Sequence, residues 1–137
     1  DVWVGKGRVH RGFSRRTRRM LTHMKPFTDA HTHFTLAGHS LGGACAVLAA
    51  AALHHDGKRV NSVYGFGTPN LASPSFQQFY ASTTLFSRTT LYATPRDPIV
   101  HTLPSPFKPI RDSTVVECDA SLTPLQQHDI RTYMDAL

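Results

Sequence analysis

The chain has 137 residues, with 15 Lys and Arg against nine Asp and Glu, which gives a formal net charge of +6. This length is typical of one globular domain with its own core, and two cysteines are too few for a disulfide framework. The sequence has no apolar run of 18 residues, as a transmembrane helix requires, and no signal-peptide pattern, so it assigns no compartment.

The first predicted helix carries much of the positive charge. Apolar residues at helical spacing predict an amphipathic helix from Gly12 to about Lys25, which Pro26 is expected to end. Such a basic run is either a solvated helix face or a surface for anionic lipid, an acidic partner or nucleic acid. Its members are Arg8, Arg11, Arg15, Arg16, Arg18, Arg19 and Lys25.

Residues 38–42, Gly-His-Ser-Leu-Gly, have the pattern of a nucleophile elbow. Residues 32–36 before them alternate as a strand does, and the small apolar residues 43–53 after them predict a helix. The flanking glycines allow the strand and the helix to approach closely, while the turn presents a serine hydroxyl to a histidine base. The pattern therefore predicts Ser40 as a nucleophile.

Strands and helices are predicted to alternate after the elbow. A serine cap followed by proline opens one of these helices, and segments rich in β-branched and aromatic residues predict the strands. Alternation of this kind predicts a mostly parallel sheet with helices on its faces. The strands are residues 60–66, 88–93 and 115–116, and the helices run from Ser73 to about Ser82 and from Leu125 to Ala136.

A serine nucleophile requires a histidine base and a carboxylate that orients it, in the chain order serine, acid, histidine for an elbow of this type. Asp97 is the preferred acid because it follows a strand, at the sheet edge where such sites lie. Asp112 and Asp119 rank below it. His128 is the preferred base because it follows the last strand, although a surface histidine at a helix start would look the same. His39, inside the elbow, is expected to point away from Ser40.

Other chemistry finds little support in the sequence. His31 and His33, and likewise His54 and His55, form pairs, but no cysteine or carboxylate stands at ligand spacing beside them. No segment resembles a phosphate loop or a dinucleotide-binding fingerprint. We therefore expect neither a metal nor a cofactor.

Five segments together resemble the class 3, or fungal-type, lipase family of the α/β-hydrolase superfamily. They occur in the family's order over residues 9–133, which is far more specific than any one of them. The segments are V-H-R-G-F at 9–13, G-H-S-L-G-G at 38–43, Y-G-F-G-T-P at 64–69, D-P-I-V-H-T-L-P at 97–104, and His128 with Tyr133.

The resemblance implies a serine esterase with a catalytic triad. Ser40 would be the nucleophile, Asp97 the acid and His128 the base, and the backbone N–H of Leu41 would bind the oxyanion. The implied substrates are lipid carboxylic esters, either triacylglycerols or phospholipids, with peripheral contact to a membrane or lipid surface, and nucleic acid is not an expected partner. Apolar residues after the acid would line an acyl groove or belong to the core, namely Ile99, Leu103, Phe107 and Ile110.

The sequence departs from the family pattern in two places. Asn70 stands where the family has arginine, and Leu71 and Ala72 replace the V-G that usually follows. The family's F-R-G-[ST] segment, which supplies a second oxyanion donor, would precede residue 9 and is not in this sequence. We therefore expect residues 1–137 to be the C-terminal portion of a class 3 lipase-like α/β-hydrolase domain, with a sheet that is incomplete at the N-terminus and is completed by a missing segment or a protein partner. The alternative is a lipase-like structural or assembly subunit with little or no catalysis.

Overall fold

The computed structural model describes residues 1–101 and 106–137. Its centre is a four-stranded parallel sheet in the order β3-β4-β5-β6, as the alternation of strands and helices predicted. A two-stranded antiparallel hairpin, which the sequence did not indicate, precedes it. The hairpin strands are β1 (Val2–Trp3) and β2 (Gly7–Arg8), and the sheet strands are β3 (His33–His39), β4 (Arg59–Phe66), β5 (Thr89–Ala93) and β6 (Thr114–Val115).

Helices flank the sheet, and α2 is packed most deeply against it. Ten of the 15 residues of α2 are buried, because its run of alanines lets the helix backbone come close to the strands. No helix in the described ranges is long and apolar enough to cross a membrane. The helices are α1 (Arg11–Ala30), α2 (Leu41–His55), α3 (Pro74–Ala81), α4 (Leu85–Arg88), α5 (Pro124–His128) and α6 (Ile130–Ala136), with a 3₁₀ turn at Ile99–His101.

Pro26 does not end the first helix, so that prediction was wrong. The helix α1 continues to Ala30 with the proline inside it. Lys25 and Asp29 form an ion pair of 2.8 Å across the proline, and the ring of Phe27 lies 6.2 Å from that of Phe34 in β3. Both contacts lie in the turn that contains the proline, where one backbone hydrogen bond of the helix is lost.

The basic run on α1 is exposed, with one member used in packing. The guanidinium of Arg18 lies 4.7 Å from the centre of the Trp3 ring and donates to the carbonyl of Val2 at 3.1 Å. Arg18 therefore fastens the N-terminal hairpin to α1, whereas Arg15 and Arg16 face solvent. Contact between the remaining arginines and anionic lipid stays a prediction of the sequence.

The single closing helix predicted over residues 125–136 is instead two helices that meet at Asp129. Asp129 has an extended backbone (φ −61°, ψ 136°), and its carboxylate accepts the N–H of Arg131 at 2.8 Å, which caps α6. The side chain of Arg131 also donates to this carboxylate, and these bonds lower the pKa of Asp129 to about 2. The break leaves His128 as the last residue of α5.

Candidate active site

The elbow that joins β3 to α2 holds Ser40 in a strained conformation. Its backbone has φ 55° and ψ −125°, values that a residue with a side chain rarely adopts. The Ser40 N–H donates to the carbonyl of Phe66 at 2.9 Å, and the Ser40 carbonyl accepts from Gly43 at 2.9 Å. Hydrogen bonds to the neighbouring strand and helix therefore maintain the strained turn that presents the hydroxyl.

Gly38 makes the sharp turn sterically possible. A Cβ placed on Gly38 would overlap the carbonyl of Gly42 and would lie 2.6 Å from the backbone nitrogen of Gly43. Both groups belong to the first turn of α2 and cannot move without displacing the helix. By contrast, a Cβ on Gly42 would have no atom within 4 Å.

We expect Gly38→Ala to lower the free energy of unfolding by at least about 3 kcal/mol, at the upper end of the cost of overpacking a core. Gly42→Ala is the matched control and should be neutral or stabilising by up to about 1 kcal/mol, because alanine is the better helix former. Urea denaturation of both variants measures the difference. Equal stabilities would mean that strand and helix are not in the close contact described.

His128 lies between Ser40 and Asp97 and forms a hydrogen bond with each. Its Nδ1 is 2.8 Å from Asp97 Oδ2 and 2.9 Å from Oδ1, and its Nε2 is 3.0 Å from Ser40 Oγ. Because an ionised carboxylate only accepts hydrogen bonds, Nδ1 carries the hydrogen. Nε2 is then free to accept the hydroxyl proton of Ser40.

Asp97 is buried, with 2% of its surface exposed, and three donors surround its carboxylate. Besides His128, the backbone N–H of Ile99 donates to Oδ1 at 2.8 Å, and the hydroxyl of Tyr133 donates to Oδ2 at 2.5 Å. Burial, followed by the hydrogen bond to Asp97, raises the pKa of Tyr133, so its hydroxyl stays protonated at neutral pH. The sequence indicated Tyr133 only as part of a motif, whereas the structure shows it as a hydrogen-bond partner of Asp97.

Gln127 and Thr94 connect the loop that contains Asp97 to the helix that contains His128. The Gln127 side chain is buried and accepts the N–H of Arg96 at 2.9 Å, and the Thr94 hydroxyl donates to the Gln127 carbonyl at 2.9 Å. The N–H of Thr94 donates to the Tyr133 hydroxyl at 3.2 Å. No sequence signal indicated Gln127, since a glutamine at the start of a short helix is usually exposed.

Gly67, in the segment at residues 64–69, allows Asp97 and His128 to lie close to the end of β4. It has φ +57°, and a Cβ there would lie 2.6 Å from Asp97 Oδ2 and 2.9 Å from His128 Nδ1. A side chain at this position would therefore displace Asp97 or His128 and disturb the hydrogen bond between them.

Leu41 is the first residue of α2, so its backbone N–H has no acceptor inside the helix. This N–H belongs to the positive end of the helix dipole, next to Ser40. An apolar groove of about 820 Å³ reaches Leu41 and runs between α1, α2 and the free edge of β3. Its lining includes Met20, Leu21, Phe27, Leu36 and Cys45.

The lower-ranked candidates for the acid and the base lie elsewhere. Asp112 and Asp119 are exposed, and Asp119 accepts the N–H of Ser121 in a local turn. His31 precedes β3 and His33 begins it, so both lie at the amino-terminal end of the strand, away from the elbow. His54 and His55 end α2.

Only part of the predicted acyl-groove set can be placed. Ile110 is buried with 2% exposure and belongs to the main core, so for this residue the core interpretation holds. Ile99 and Phe107 are half-buried, and Phe107 lies 5.5 Å from the ring of His10. Leu103 lies outside the described residues.

The sequence model of the family "Lipase (class 3)" matches residues 1–107, a range that includes Ser40 and Asp97 but not His128. The fold is similar to that of a lipase from Rhizopus microsporus var. chinensis, with a TM-score of 0.67 and 23% identity over 80% of this chain and 41% of that one. It is also similar to the Lip2 lipase from Yarrowia lipolytica, with a TM-score of 0.66 and 21% identity over 87% and 46%. The chain thus spans less than half the length of these two lipases. No curated protein matches it.

Proposed function

This chain belongs to the class 3 lipase family, and from that premise we propose that it carries the catalytic site of a serine hydrolase acting on lipid carboxylic esters, either triacylglycerols or phospholipids. The observation that carries the proposal is the chain of hydrogen bonds from Ser40 through His128 to Asp97. A structural or assembly subunit would need none of these contacts, and neither the site nor the family match favours that alternative.

In the proposed reaction, Ser40 Oγ attacks the carbonyl carbon of the ester while His128 Nε2 takes the hydroxyl proton. Asp97 keeps the hydrogen on Nδ1 and stabilises the imidazolium that forms. The N–H of Leu41 donates to the oxyanion. His128 then protonates the departing alcohol, and a water molecule, activated by the same histidine, releases the acid from Ser40.

A second part of the proposal concerns the open edge of β3. Within the described ranges β3 pairs only with β4, and residues 34–37 of β3 line the apolar groove along its unpaired side. An acyl chain would leave the N–H and C=O groups of that side without partners, whereas an added strand would pair with them. We therefore assign the groove to polypeptide, from a protein partner or from sequence upstream of residue 1.

The test is covalent labelling with a p-nitrophenyl alkylphosphonate, which mimics an ester and traps a nucleophilic serine. We expect one equivalent of p-nitrophenol and a mass increase on the peptide that contains Ser40. Labelling at another serine, such as the exposed Ser121, or no labelling at all, would contradict the assignment.

The rate of labelling also tests the added strand. In the family, the upstream segment supplies a second oxyanion donor. A chain extended upstream, or supplied with its partner, should therefore be labelled at least about a hundredfold faster than residues 1–137, because the loss of one oxyanion donor lowers a rate by about that factor. Equal rates would mean that the open edge has no role in the site.

A further inference from the structure

We propose that His39 is a positioning residue that holds the base in line with the nucleophile, an inference that rests on the proposed function because it concerns the same site. His39 ends β3 and directly precedes Ser40. Its Nε2 lies 2.6 Å from the backbone carbonyl oxygen of His128. Since a carbonyl only accepts, Nε2 of His39 carries the hydrogen and donates it.

This carbonyl needs a donor because α5 ends at His128. The last carbonyls of a helix receive no N–H from a following turn. Here the extended backbone at Asp129 ends the helix, so no following turn supplies an N–H to His128. The two preceding carbonyls also receive side-chain donors, Thr94 at the carbonyl of Gln127 (2.9 Å) and Thr132 at that of Gln126 (2.7 Å). Of these three bonds, the one from His39 joins the elbow directly to His128.

The ring of His39 supplies a second constraint. It lies against the ring of His128, with ring centres 4.6 Å apart and an angle of 33° between the planes, and 6.0 Å from the ring of Tyr133. The imidazole of His128 is thus held by Asp97 at Nδ1, by His39 on one face and through its own backbone carbonyl. Such support keeps Nε2 at 3.0 Å from Ser40 Oγ, a distance on which proton transfer depends.

The role proposed for His39 goes beyond what the sequence indicated. Its side chain was expected to point away from Ser40, which made it a poor candidate for the base. It does not contact the hydroxyl, yet it contacts the residue that does, 89 positions further along the chain. Because nucleophile and positioning residue are adjacent, a shift of the elbow carries His128 with it.

Two variants of His39 separate the donor from the ring. His39→Phe keeps an aromatic ring against His128 but cannot donate, and His39→Gln keeps an N–H donor of similar reach without the ring. For a soluble p-nitrophenyl ester, we expect His39→Phe to lower kcat by about 10- to 100-fold with KM unchanged, the scale of a small misplacement of reacting groups. His39→Gln should stay within about fivefold of the unmodified protein. His33→Phe, at the other end of the same strand, is the control and should leave kcat unchanged.

A measurement without turnover keeps this inference distinct from the proposed function. In proton NMR spectra, the hydrogen between His128 Nδ1 and Asp97 should give a slowly exchanging downfield signal that broadens in His39→Phe and persists in His39→Gln. An unchanged signal and kcat in His39→Phe would overturn the positioning role, as would an equal loss in both variants that follows their melting temperatures. Absence of turnover in the unmodified protein, with the signal behaving as expected, would instead refute the proposed function alone.

Discussion

Replacement of Ser40 by alanine should lower kcat for a soluble carboxylic ester by at least about 10⁴-fold, because the variant lacks the oxygen that forms the acyl-enzyme bond. The methyl group of alanine fits the space of the hydroxymethyl group, and the backbone bonds of Ser40 to Phe66 and Gly43 do not involve the side chain. We therefore expect the melting temperature to change little. Initial rates with a p-nitrophenyl ester, measured beside thermal unfolding, provide the check.

His128→Ala should reach a similar floor, and the double variant should fall no further. Ser40 and His128 act as one unit, so the loss of either removes the activated nucleophile, and what remains is catalysis by binding and by the oxyanion donor. Ser87→Ala is the matched control, since Ser87 is exposed and precedes β5, at the amino-terminal ends of the parallel strands and away from the elbow. If Ser40→Ala kept more than a few per cent of kcat, or if the two losses multiplied in the double variant, the nucleophile would have to be sought elsewhere.

The elbow could be predicted from the sequence because its causes are local. A strand of alternating residues, a glycine at position 38 that permits close approach and a helix of small residues all lie within residues 32–53, and the structure contains the strand, turn and helix that this pattern predicted. The predicted steric need for the second glycine was wrong, because a Cβ on Gly42 would have no atom within 4 Å. The cap at Ser73 is local in the same sense, and its side chain accepts the N–H of Phe76. Signals of this kind can be read from neighbouring residues in the sequence.

Two helix boundaries were predicted wrongly, for different reasons. Pro26 disfavours a helix locally, yet α1 continues to Ala30, where the ring of Phe27 lies 6.2 Å from that of Phe34 in β3. Periodicity alone predicted one closing helix, because it does not detect a residue such as Asp129 that caps a second helix with its own carboxylate.

The groups that support the proposed triad could not be assigned from the sequence, because their partners are distant along the chain. His39, Gln127 and Tyr133 act through contacts that span 89, 31 and 36 positions of the chain. His39 and Tyr133 belong to motifs and Gln127 to none, but in all three cases only the fold shows which backbone or carboxylate group the side chain contacts. The chain order serine, acid, histidine therefore indicated Ser40, Asp97 and His128 as candidates, but it did not indicate which side chains hold them in place.

Asp97→Asn should lower kcat by about 10³- to 10⁴-fold with only a small change in KM. The amide is close in shape to the carboxylate, so the buried site is still filled and Tyr133 and the Ile99 N–H keep a polar neighbour. What changes is the tautomer of the base. The amide NH₂ group can donate to Nδ1 of His128, which moves the imidazole hydrogen to Nε2, and Nε2 then no longer accepts the proton of Ser40.

Two other aspartates make this test selective. Asp112→Asn and Asp119→Asn remove the same single charge, but both side chains are exposed and Asp119 accepts only local hydrogen bonds from Ser121, so kcat should stay within about twofold of the unmodified value. A loss with either variant that matched Asp97→Asn would move the acid to that residue. A loss with Asp97→Asn that followed its melting temperature would point to unfolding instead of a wrong tautomer. The tautomer explanation requires a folded site, in which Ser40 and His128 remain in contact and the imidazole hydrogen lies on Nε2 instead of Nδ1.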